Sequence, residues 1–200
     1  MTWIDTIEPD DASGRLRKLY DRIRGEDGSV DNILQAHSLR PHAMEGHLAL
    51  YKNVLHHASN RVPKWFLEAL GVFVSALNRC QYCVEHHARG MARLLDEPDR
   101  VSTIRAALES GEEMQKGASF DDRERAALAY ARRLTISPGE IDEEDVRILR
   151  DAGWSDGEIL EINQVVSYFA YANRTVLGLG VTTEGDVLGL SPSGEGWRHR

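Results

Sequence analysis

Residues 64–87 read KWFLEALGVFVSALNRCQYCVEHH. Within 64–77, Trp65, Phe66, Leu67, Leu70, Val72, Phe73, Val74 and Leu77 fall on nearly every side of a helix. A helix that is apolar all round is buried all round, so this one is expected at the centre of the core. Pro63 opens it, and Asn78 and Arg79 interrupt the apolar pattern before a second helix at about 80–95. The break between the two is short, which predicts an antiparallel pair with the middle of the first helix beside the first turns of the second.

The remaining chain reads in the same way. Leu16, Leu19 and Ile23 mark a helix over roughly 10–24, Asp31 caps a short one at 32–38, and Pro41 starts another that reaches His57. Further helices are expected at about 98–109, from Asp121 to 134, at 143–151 behind Asp142, and at 156–178 behind Ser155. The last carries Ile159, Ile162, Val165, Val166, Phe169 and Val176 on its apolar face. No run alternates as a strand does. The expectation is an all-α bundle of about eight helices forming a single domain over 1–200. The CxxC core lies at about 45–110, and an extended tail from about Val181 is read as docking on a neighbouring subunit.

Composition narrows the function. The chain has 200 residues, 42% hydrophobic and 28% charged, as an ordinary globular protein does. A net charge of -8 argues against nucleic acid and against anionic lipid as partners. The acidic start MTWIDTIEPDD resembles no export or transit signal, and no apolar run approaches 18 residues, so a cytoplasmic protein without a membrane span is expected. In a reducing compartment, two cysteines three apart point to catalysis or metal binding rather than a structural staple.

Those cysteines, Cys80 and Cys83, are the only two in the chain. On a helix, Cys83 shares a face with Cys80 and with His87, four residues on. Cys80 sits at the helix start, where the dipole and unpaired N–H groups favour a thiolate. His87 is placed to take a proton from Cys83. The helix-terminus argument favours Cys80 as the more acidic thiol; the histidine spacing favours Cys83, and the directed partner is preferred. Glu68 is the one charged side chain between Trp65 and Leu77. It reads either as a proton relay reaching His87, directly or through water, or as half of a structural ion pair with a cation such as Arg174. A closed zinc site needs four ligands, and no second CxxC supplies them. Cysteines that merely sense oxidation stay open as a third reading. His86 points away from His87 and reads as a surface or interface residue. His37, His42, His47, His56 and His57 lack the i, i+4 spacing of a helical metal site. Tyr168 and Tyr171 read as core or interface.

The unit Glu68, eleven residues, Cys80-Gln-Tyr-Cys83, three residues, His87 resembles the alkylhydroperoxidase AhpD-like family of the carboxymuconolactone decarboxylase superfamily. ALGVFVSALNRCQYCVEHHARG, YFAYANRTVLGLGVTTEGD and HSLRPHAMEGHLALYKNVL are similar to its peroxidase-related branch. The resemblance covers roughly residues 30–190. It implies an AhpD-like helical fold, a homo-oligomer (dimer or hexamer), and antioxidant reduction of small-molecule hydroperoxides with no cofactor. It implies catalytic roles for Cys83, which attacks the peroxide, and Cys80, which resolves the sulfenic acid as a disulfide. His87 accepts the Cys83 proton, Glu68 links to His87 through water, and an external dithiol reduces the disulfide. Where studied members carry a histidine before the second cysteine, this chain has Tyr82, which is no base at neutral pH.

Overall fold

The computed structural model describes residues 2–25, 28–111 and 120–189. Among these, nine α-helices and no strand occur. They are α1 (Gly14–Ile23), α2 (Asn32–Gln35), α3 (Pro41–Tyr51), α4 (Lys64–Leu77), α5 (Gln81–Leu95), α6 (Pro98–Ser110), α7 (Asp122–Ile136), α8 (Glu143–Asp151) and α9 (Asp156–Leu179). The all-α expectation holds, and most boundaries fall within two residues of the sequence reading.

The apolar run at 64–77 becomes α4, and every residue from Phe66 to Ser75 is buried, Glu68 included. Helices α5, α6, α7 and α9 pack around it. One glycine makes the α4–α9 approach possible: a Cβ on Gly71 would lie 2.3 Å from Cζ of Phe169. A second cluster, with Leu16, Leu19 and Tyr20 of α1, Leu34 of α2 and Met44 and Leu48 of α3, forms a smaller N-terminal layer.

The turn from α4 to α5 is tightly specified. Arg79 adopts φ 57°, its N–H donates to Ala76 O at 2.9 Å, and the Cys80 N–H reaches back to Ser75 O at 2.8 Å. This is a Schellman-type ending with an arginine where glycine is usual. It makes Cys80 both the last residue tied to α4 and the N-cap of α5.

One expectation is corrected. The helix expected to reach His57 stays α-helical only to Tyr51 and then widens into a π-helical turn, Lys52–His56. Asn60 supports that turn by donating to the Val54 carbonyl at 2.9 Å, and such turns recur near functional sites. The extended tail expected from about Val181 lies across its own chain as far as it is described. Asp186 takes hydrogen bonds from α2 and α5, and Arg93 donates to the Gly189 carbonyl. A buried carboxylate with three donors in reach is already satisfied at home. Residues 190–200 lie outside the described residues.

Candidate active site

The α4–α5 turn delivers both sulfurs to one place. Cys80 and Cys83 are buried free thiols and hydrogen-bond to each other. Asn173, buried on α9, donates to Ser75 Oγ at 3.0 Å and accepts from Asn78 Nδ2 at 2.9 Å. Asn173 also hydrogen-bonds to both sulfurs, and Ser75 to Cys83. The Cys83 thiol holds Cys80 below the ordinary thiol range, with the Cys83 backbone N–H helping at the helix terminus. The hydrogen bond with Cys80, together with burial, pushes Cys83 well up. In the reduced pair Cys80 is therefore the more acidic thiol, as the helix-terminus argument expects and contrary to the order expected from the His87 spacing.

Glu68 meets His87 directly. His87 Nδ1–H donates to Glu68 Oε2 at 2.6 Å, with no water between them. That bond assigns the proton to Nδ1 and leaves Nε2 as the basic nitrogen. The two helices come this close because α5 carries Gly90 opposite the carboxyl: a Cβ there would stand 3.1 Å from Glu68 Cδ. The π-helical turn brings His56 Nε2 to 4.0 Å from Glu68 Oε1. Phe169 presents its edge to the His87 ring at 4.5 Å. Arg174 does not pair with Glu68; it is exposed and donates to the Ala170 carbonyl at 2.6 Å.

Cys83 and His87 open on a cavity of about 60 Å³ at the seam between the N-terminal layer and the main core. Helix α9 contributes Tyr168 and Ala172, α3 contributes His47, Leu48 and Tyr51, and the stretch around α2 contributes Asp31, Ile33 and Leu34. Cys80 does not line it. His86, expected at the surface or an interface, is 8% exposed and lines the cavity. The reason is that α2 and the tail cover the face of α5 that α4 leaves open. Its Nε2 lies 3.2 Å from Asp186 Oδ2, and its ring stacks on Tyr82 at 4.5 Å. Tyr82 donates to Asp186 Oδ2 at 2.7 Å and accepts the Ile33 N–H at 3.2 Å. Burial lifts the Tyr82 hydroxyl far above its usual range. Tyr82 thus holds the tail and α2 in place.

Tyr168, expected in the core or at an interface, is both buried and part of the cavity wall, 3.4 Å from His47 Nε2. Burial, reinforced by His37, drives His47 down to about 3, so it is neutral. Burial lifts Asp31 to about 6. The sequence reading missed Asp31, Asp186, Ser75 and Asn173 as members of the site. Asn173 carried the one available signal, a polar residue on an apolar helix beside Arg174. Among the described residues, no group of three or more His, Cys, Asp or Glu side chains is arranged to hold a metal ion, and no helix is long and apolar enough to cross a membrane.

No known protein family matches the chain by its sequence profile, and no curated protein matches it. Solved structures do. The alkylhydroperoxidase AhpD core of an uncharacterized peroxidase-related protein from Ralstonia eutropha JMP134 superimposes with a TM-score of 0.77 at 21% identity, over 90% of this chain and 91% of that one. A peroxidase-related protein from Silicibacter sp. TM1040 gives 0.72 at 24% identity, over 90% and 87%. The debrominase Bmp8, as a cysteine-to-alanine variant in complex with 2,3,4-tribromopyrrole, gives 0.70 at 20% identity, over 92% and 93%. The chain has the AhpD-like fold.

Proposed function

We propose that this chain is an AhpD-like oxidoreductase that reduces hydroperoxides through a Cys80–Cys83 disulfide cycle. The observation that carries the reading is the placement of Cys83 on the cavity wall beside His87, whose Nδ1–H is held by buried Glu68, with Cys80 in hydrogen-bond contact behind it. Access favours Cys83 as the attacking sulfur: Cys80 is the more acidic but does not reach the cavity, whereas Cys83 does. His87 Nε2 takes the Cys83 proton as substrate arrives, and Glu68 stabilises the imidazolium. The Cys83 thiolate attacks the outer peroxide oxygen, giving a sulfenic acid and, after protonation, an alcohol. Cys80 displaces water from the sulfenic acid to form the disulfide, and an external dithiol returns both thiols while becoming a disulfide itself. Within this reading the chain works as a homo-oligomer, without a cofactor, in a reducing cytoplasm.

The test is peroxide consumption with dithiothreitol as reductant, for the wild type, Cys83→Ser and Cys80→Ser. Cys83→Ser should be inactive, and Cys80→Ser should complete one oxidation and stall at a trappable sulfenic acid. A Cys83→Ser variant that consumes peroxide at the wild-type rate would falsify the assignment. One tightly bound equivalent of zinc in protein purified without chelators would turn the reading towards a structural metal module. A second substrate class, halogenated aromatics, is favoured by the tribromopyrrole-bound neighbour and by the Tyr51, Tyr82 and Tyr168 rings at this cavity. Halide release from such a compound under the same conditions tests it.

A further inference from the structure

One carboxyl group on the cavity wall has no part in the steps above. Asp31 is the N-cap residue of α2, yet its side chain makes no capping hydrogen bond. Its Oδ1 is buried and finds no hydrogen-bond partner among the described residues. The side chain lines the same cavity as Cys83 and His87. A buried oxygen without a partner costs stability, and such costs are concentrated where function needs the group.

The charged and titratable groups around Asp31 come from three elements. Tyr82, His86 and His87 face it from α5, Asp186 faces it from the tail, and neutral His47 of α3 shares the cavity wall. Among the described residues, no lysine or arginine lines the cavity. Asp186 is fully engaged by Asn32, Tyr82 and His86, so it is not free to exchange a proton with substrate. Asp31 is.

The leaving oxygen needs a proton, and the one that His87 takes from Cys83 is held in the imidazolium that Glu68 stabilises. When the Cys83 thiolate takes the outer oxygen of a hydroperoxide, the electron pair of the O–O bond leaves on an alkoxide, a strong base that must be protonated as it forms. We propose that Asp31, in its protonated form, is the general acid that delivers this proton. The inference rests on the hydroperoxide reading above. The step balances: Cys83–S⁻, ROOH and the Asp31 carboxylic acid become Cys83–SOH, ROH and the Asp31 carboxylate; the His87 imidazolium then gives up the proton it took from Cys83 to water as Asp31 regains one from water. With a carboxyl lifted by burial to about 6, about one molecule in ten carries the proton at pH 7, enough for a donor poised near the working pH.

Leaving-group chemistry tests this directly. An alkyl hydroperoxide such as tert-butyl hydroperoxide expels an alkoxide and needs the acid; a peracid such as peracetic acid expels a carboxylate and does not. Single-turnover oxidation of reduced wild type, Asp31→Asn and Asp31→Glu would be followed with both oxidants, alongside alkylation of the thiols by iodoacetamide. Asp31→Asn should slow the alkyl hydroperoxide reaction by about 100-fold, leave the peracid and alkylation rates within about twofold, and be partly rescued in Asp31→Glu. Equal slowing with both oxidants, or no slowing with either, would overturn the role of Asp31 while leaving the peroxidase reading intact. A wild type that reacts with peracid and iodoacetamide but with no hydroperoxide would overturn both.

Discussion

Gly71→Ala measures how tightly the central helix is gripped. The added Cβ would sit 2.3 Å from Cζ and 2.4 Å from Cε2 of Phe169, itself fully buried on α9. Restoring ordinary carbon–carbon contact at about 3.5 Å requires a shift of roughly 1 Å. Phe169 is a rigid ring between α4 and His87, so it has no soft direction in which to yield. Overpacking of this kind costs about 1–3 kcal/mol, and the upper half of that range fits a shift this large in a fully buried ring. Alanine recovers about 1 kcal/mol of helix propensity, leaving a net loss of about 1–2 kcal/mol. For a chain of this size that lowers Tm by roughly 2–8 °C. The same shift moves the edge that packs on His87, so reaction of Cys83 with peroxide should fall as well. Thermal denaturation followed by circular dichroism, with single-turnover oxidation on the same samples, checks both effects. Adding Phe169→Leu should relieve the clash and recover part of the stability. A Gly71→Ala protein as stable as the wild type would refute the close α4–α9 approach on which the site is built.

The buried titratable groups of the cavity wall bend the stability–pH curve in opposite senses. Asp31 rises from 3.8 to about 6 on folding, so its contribution is fully present below 3.8 and is lost as pH rises through 6. By linkage the loss reaches about 3 kcal/mol at pH 7, and Asp31→Asn should be more stable than wild type by up to that amount at pH 7.5 and not at pH 4. His47 falls from 6.5 to about 3, so its contribution is present above 6.5 and is lost as pH drops towards 3; His47→Gln should flatten that acid limb. Urea denaturation at pH 4, 5.5 and 7.5 reads both, and a Asp31→Asn effect independent of pH would contradict the first. At the α4–α5 turn, Arg79 pays the left-handed penalty of about 1–2 kcal/mol. Arg79→Gly removes it against about 0.5–1 kcal/mol of backbone entropy, so a gain of up to about 1 kcal/mol is expected, and a clear loss of stability would mean that the arginine side chain is needed there.

The sequence by itself determined the framework and singled out four residues of the candidate site. Apolar positions on every side of 64–77 could only be satisfied by burial, and helical spacing placed Cys80, Cys83 and His87 on one face. A lone carboxylate in that apolar run marked Glu68, because an isolated buried charge demands a partner. These are properties of neighbours along the chain, and local periodicity records them. Which group answers Glu68 was another matter: Arg174 and His87 were both candidates, and the separation of α4 from α5, set by Gly90, decided for His87. His86 was misread because its helix face is covered by α2 and by the tail, which arrive from fifty residues before and a hundred after. The acidity order of the thiols depends on their hydrogen bond to each other and on the burial of Cys83, which the packing around the α4–α5 turn sets. In the sequence Asp31 reads as a helix cap and Asp186 as an ordinary loop acid. Only tertiary packing takes them out of water, and the loss of hydration gives Asp31 its altered proton affinity and leaves its oxygen facing the cavity.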